Sequence, residues 1–147
     1  VELKITIDAS AALKWQFRDE TNIEDAVNML LDYEESKVYF IVPRLFYYEI
    51  ANAIYIAVQR GRITDDVGKS IINDMLAIEA EVIDSLELLK TAYLNAKKYG
   101  ISVYDSIYLT LADEHGVLLY TGDRKFYNTI KDKKRFIRWI GDYRRKG

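Results

Sequence analysis

The 147-residue chain contains no cysteine, one histidine and one proline. Without thiols there is no disulfide framework, no thiolate nucleophile and no cysteine-based zinc cluster, and a lone imidazole cannot supply paired-histidine chemistry or a His-rich metal site. Any catalysis must use other groups. One proline and seven glycines also exclude a collagenous or low-complexity chain. Apolar runs stop after a few residues, far short of the roughly 20 that a membrane-spanning helix requires. The opening VELKITID reads as a strand, not as a basic stretch leading into an apolar one, so no secretory signal is expected and a cytoplasmic location is.

What is present describes a folded chain. Half the residues are hydrophobic and 30% are charged, which suits a single domain over residues 1–147 with a sizeable core. Abundant Ile, Tyr, Lys and Glu without Cys also suits a heat-adapted protein. The net charge of −2 is unevenly spread: residues 131–147 carry +6, leaving −8 on residues 1–130. A solvated terminal segment and a nucleic-acid contact surface both account for such a tail.

Residues 3–8 (LKITID) alternate and are β-rich, predicting a strand that ends at Asp8. Ser10 is placed to cap a helix over 11–18, and a second helix over 23–35 starts behind Asn22. Val38 to Val42 form a strand stopped by Pro43, followed by a long helix from Leu45 that ends at Gly61. Thr64 caps a helix to Ala77, residues 80–84 form a third strand, and Ser85 caps a helix to Gly100. Ser102 and Asp105 have the form of a capping box for a helix ending at Gly116. Residues 117–121 form a strand, Asp123 opens a short helix, and 136–140 form a last strand. Strands that alternate with helices cannot pair as hairpins, so the expected fold is a three-layer α/β/α sandwich around a mostly parallel sheet. In such sheets ligands bind beyond the carboxyl ends of the strands, where strand order reverses.

Four acids stand at positions that otherwise turn apolar. Asp8 ends the first strand, Glu49 lies inside RLFYYEIANAI, Asp105 lies in the first turn of YDSIYLTLA, and Asp123 follows a strand in LLYTGDRKF. Each aspartate has an ordinary explanation as a residue at or near a helix cap. Glu49 does not, because an ionised carboxylate on a mostly apolar helix face needs a cation or a strong donor, and its helical neighbours offer only Asn52. Three of the four fall at strand ends or helix starts on the edge where α/β sites form. Carboxylates converging there require a cation, and an all-oxygen set selects Mg²⁺ or Mn²⁺ over zinc. The natural chemistry is phosphoryl transfer to a metal-activated water, with one or two ions.

DASAALKW, PRLFYYEIANAI, YDSIYLTLA and TGDRKF occur in that order, and over essentially its whole length the chain resembles the PIN-domain ribonucleases of the VapC toxin type. The resemblance implies a PIN-like fold, a metal-dependent endoribonuclease, and an acidic quartet at Asp8, Glu49, Asp105 and Asp123. It also implies supporting polar roles for Ser10, Asn52 and Thr121, which as neighbouring donors can orient a carboxylate or hold water at a metal.

Other chemistries fit less well. A phosphoacceptor built on Asp8 needs a second acid beside it, and Ala9 and Ser10 follow instead. No GxGxxG, GxxxxGK or GxSxG string occurs. A housekeeping ribonuclease of RNA maturation and a non-catalytic module of the same fold remain as alternatives.

An acidic site that takes a polyanion needs positive charge at its rim, so Arg124, Lys125, Lys133, Lys134, Arg135 and Arg138 are expected to contact RNA phosphates. Tyr33, Tyr47, Tyr48 and Tyr55 crowd the second helix and the one carrying Glu49. That is more aromatic surface than one helix face buries, and it suggests a contact surface. Resemblance to VapC toxins implies a homodimer and a cognate antitoxin segment laid across this region.

Overall fold

A computed structural model describes residues 3–17 and 21–147. Five short strands are separated by helices, and a strand that must return over a helix to the same sheet edge can only pair parallel. The strands are β1 (Leu3–Ile7), β2 (Val38–Pro43), β3 (Ala80–Ile83), β4 (Leu118–Thr121) and β5 (Ile137–Trp139). All pairings are parallel, in the order β3-β2-β1-β4-β5. The helices are α1 (Ala9–Ala12), α2 (Ile23–Glu34), α3 (Leu45–Gln59), α4 (Asp65–Leu76), α5 (Leu86–Tyr99), α6 (Val103–His115) and α7 (Arg124–Ile130). The expected parallel α/β architecture is the one observed.

The central strand is β1, whose Ile5 and Ile7 are fully buried. Order runs outward from it in both directions, so the reversal lies between β1 and β4, and their carboxyl ends open the crevice where such sheets place ligands. Asp8 follows one of these strands and Asp123 the other, and the Asp8 N–H donates to the Tyr120 carbonyl at 3.1 Å, tying the two ends together.

Several boundaries differ from those expected, each for a local reason. Asp8, not Ser10, caps the first helix: its backbone is extended and its carboxylate accepts from the Ala11 N–H, so the helix begins at Ala9. That helix is one turn long and tightens into a 3-10 turn over Leu13–Trp15; residue 18, its expected end, lies outside the described residues. Pro43 does not stop β2 but is its last residue, in register with Ile83, which a strand end permits because no further N–H is required there. Asn22 precedes α2 in a left-handed conformation and makes no side-chain cap bond.

The charge of the terminal segment is partly used inside the fold. Tyr143 donates through its hydroxyl to Asp32 on α2 at 2.6 Å, and the Lys146 N–H donates to the same oxygen at 2.8 Å. Arg145 lies 3.3 Å from the other Asp32 oxygen and pairs with Glu35. Arg144 lies 3.4 Å from Asp25. Asp32 is fully buried, so this clasp fixes the tail against α2. Among the described residues no helix is long and apolar enough to cross a membrane.

Candidate active site

Asp8 is nine-tenths or more buried, yet its carboxylate is fully engaged. One oxygen accepts from the Ala11 N–H at 3.0 Å and from the Ser10 hydroxyl at 2.6 Å, and the other accepts from the Thr121 hydroxyl. The same two hydroxyls bind the β4–α7 turn: Ser10 Oγ accepts from the Gly122 N–H at 2.9 Å and Thr121 Oγ1 from the Asp123 N–H at 3.0 Å. Ser10 and Thr121 therefore hold Asp8 in one orientation and lock the segment that carries Asp123. A Cβ on Gly122 would stand 2.9 Å from Lys14 Cε and 3.1 Å from the Ser10 carbonyl oxygen, so only glycine lets the turn come this close. Asp123 caps α7 through the Phe126 N–H at 3.1 Å while remaining solvent-exposed.

Glu49 comes from the second turn of α3 and finds its donor on a different helix, where the Tyr108 hydroxyl donates to Oε1 at 2.7 Å. Tyr108 lies three residues after Asp105, on the same side of α6. The sequence does not reveal this role, because a tyrosine at an apolar helical position reads as core. Asn52, the donor expected from spacing, is exposed and makes no hydrogen bond to Glu49. Asp105 sits in the first turn of α6, where the Ser102 hydroxyl accepts its N–H at 3.0 Å. Asp105 and Asp123 thus both stand at helix starts.

The electrostatics show that the four acids share one region. Burial pushes Asp8 above its ordinary value against the pull of its hydrogen-bond donors, and the charge of Asp123 pushes the same way. Glu49 is raised by burial and by Asp8, with Tyr108 opposing. Asp105 responds most: burial and then the charges of Asp123, Asp8 and Glu49 lift it to about 7. The Tyr108 hydroxyl is raised by burial and by Glu49 and Asp8, so it stays a donor. No Lys or Arg among the described residues forms an ion pair with any of the four. Among the described residues no three acidic or imidazole groups stand close enough together to hold a metal ion as they are placed. The donor set, all carboxylate oxygen, suits a hard divalent cation and no soft one.

The six expected RNA-contacting cations divide. Arg124 and Lys125 open α7 beside Asp123, at the carboxyl edge of the sheet. Lys133 and Lys134 lie at the opposite edge: Lys134 is 3.4 Å from Asp113, eight residues and about 12 Å along α6 from Asp105. Arg135 leads into β5 from that same edge, and the Arg138 guanidinium turns back onto the carbonyls of Arg135 and Ile137. Rim charge at the acid cluster therefore comes from Arg124 and Lys125.

Comparison with known proteins agrees with this geometry. Residues 5–131 match the model of the PIN domain family. Ribonuclease VapC3 of Pyrobaculum aerophilum is 28% identical over 125 residues, covering 84% of this chain and 92% of that protein. The crystal structure of PAE2754 from the same organism superimposes with a TM-score of 0.70 at 19% identity, over 95% of this chain and 92% of that one, and so shares the fold.

Proposed function

This chain belongs to the PIN domain family, and on that premise we propose that it is a divalent-metal-dependent endoribonuclease and the toxin of a toxin–antitoxin pair. The observation that carries the reading is the meeting of Asp8, Glu49, Asp105 and Asp123 at the switch point of the sheet, with Asp105 lifted to about 7 by burial and by the charges of the other three. The four would hold Mg²⁺ or Mn²⁺. When bound, such an ion activates water and stabilises the charge that develops on a phosphodiester undergoing displacement.

The remaining tasks fall to this chain's own groups. Ser10 and Thr121 fix the Asp8 carboxylate, and Tyr108 fixes one oxygen of Glu49. Asp105, with its value lifted to about 7, is partly protonated near neutral pH in the metal-free chain. Arg124 and Lys125 draw the polyanionic strand toward a site whose own charge repels it. Likeness to Ribonuclease VapC3 supports RNA as substrate and the toxin role over a housekeeping one. A homodimer and a small cognate antitoxin fit the surface of α3, where Tyr48 and Tyr55 are 65% and 60% exposed.

The test is incubation of the purified chain with single-stranded RNA, with Mg²⁺ or Mn²⁺ and with excess chelator. Cleavage that requires the metal and leaves 5′-phosphate ends is expected. Chelator-resistant cleavage, or none with either metal, would refute the proposal.

A further inference from the structure

Residues 124–138 carry seven cations against one acid, Asp132, and the fold arranges several of them in a row. Arg124, beside Asp123, has its guanidinium carbon 3.7 Å from the centroid of Trp139 and 6.0 Å from that of Tyr127. At the other end of α7, Lys131 Nζ stands 5.9 Å from the same Tyr127 ring. Beyond it, Lys133 and Lys134 stand 5.9 and 5.7 Å from the ring of Tyr99, over which Lys98 also lies. Cation and ring thus alternate from the acid cluster to the far edge of the sheet.

Rings at these distances hold ammonium and guanidinium groups in place, and cations already positioned lose less freedom when an anion binds. Trp139 is only 8% exposed and is covered by Arg124, so it is not a platform for a base. The outward face of the row is charge: Arg124, Lys131 and Lys133 are exposed. Asp113 partly neutralises Lys134, and Asp132 stands between Lys131 and Lys133 in the sequence, so net positive charge persists along the row. A track that starts at four carboxylates suits a strand whose scissile phosphate lies among them. An acidic protein surface gains nothing by ending there.

We propose that the α7 edge is a phosphate track, carrying single-stranded RNA from the acid cluster past Lys131 to Lys133 and Lys134. The identity of the polyanion rests on the nuclease reading; the position of the track does not. The helix spans about 10 Å, so at roughly 3.4 Å per nucleotide of a stacked strand a tetramer occupies the site and α7, and only a longer strand reaches Lys133.

The experiment measures binding by fluorescence anisotropy of oligouridines from tetramer to hexadecamer, in an Asp105→Asn background that prevents cutting. Corrected for the number of binding registers each oligomer offers, that parent should gain at least about tenfold in affinity over the series. Adding Lys131→Gln, Lys133→Gln and Lys134→Gln should remove the gain and flatten the log–log salt dependence by about 2, near 0.7 for each phosphate that is no longer neutralised. Arginine at the same three positions should restore both. Identical length dependence in parent and triple-glutamine protein, or no restoration by arginine, would overturn the track. If circular dichroism shows that removing the Lys134–Asp113 pair unfolds the triple variant, the Lys131→Gln and Lys133→Gln double variant, altered only at exposed positions, decides on the same criteria. Failure of the nuclease reading is distinguishable: the unsubstituted chain would then bind long RNA through the track without cutting it in Mn²⁺.

Discussion

Asp105 is the carboxyl group on which burial and then the charges of the acid cluster act most strongly. Its value rises from 3.8 to about 7, so the folded state takes up its proton more readily than the unfolded chain. The contribution to stability is therefore complete below pH 3.8 and is lost as pH rises to about 7. Without divalent cation, thermal denaturation should show wild type weakening across that window. Asp105→Asn should flatten the dependence and exceed wild type at neutral pH by about 1 to 2 kcal/mol, the shift being discounted for a half-buried, solvent-screened group. Tyr108→Phe tests the other end of the site. Removing the hydroxyl frees Glu49, and Mn²⁺ affinity should fall about 10- to 100-fold while the melting temperature changes little, because the ring stays in the core. Of the four acids of the proposed site, Glu49 stands out in the sequence by itself, because a carboxylate on an apolar helix face demands a partner, whereas each aspartate also reads as a residue at or near a helix cap. Tyr108 is not legible, since its partner arrives from a helix some sixty positions away.

Among the elements, the turn between β4 and α7 concentrates the most constraints. It carries Thr121, Gly122 and Asp123, and Ser10 binds its backbone at Gly122. Gly122→Ala should displace the turn from Ser10 and Lys14, costing about 1 to 3 kcal/mol in chemical denaturation and lowering cleavage more than a loss of folded protein explains. The element pattern itself is readable: caps at Thr64, Ser85 and Ser102 and the glycines after α5 and α6 stand where the sequence puts them. Its failures are short-range contests. Asp8 and Ser10 both qualify as a cap, and the winner is decided by Thr121, which holds Asp8 from another strand. The basic tail reads as one charged run, yet Arg144 and Arg145 are drawn to acids on α2, a pairing set by tertiary structure.

At the scale of the whole molecule, the order β3-β2-β1-β4-β5 puts the reversal between the strands that precede Asp8 and Asp123, which is the placement the proposed site rests on. Alternating strands and helices announce a parallel sheet, but nothing in the sequence dictates which strand takes the centre. Exposed Tyr48 and Tyr55 on α3 exceed what an isolated chain needs, and sedimentation equilibrium at micromolar protein should report a dimer; a monomer would remove the oligomeric part of the proposal. The claim on which the rest depends is that Asp8, Glu49, Asp105 and Asp123 form one divalent-cation site. Calorimetric titration of the metal-free chain with Mn²⁺ near pH 6.5, repeated in buffers of different ionisation enthalpy, tests it most directly. Wild type should bind Mn²⁺ and release roughly three-quarters of a proton from Asp105, the share it holds at this pH with a value of about 7, and Asp105→Asn should bind far more weakly and release much less. Equal binding by both proteins, or none by wild type, would contradict it.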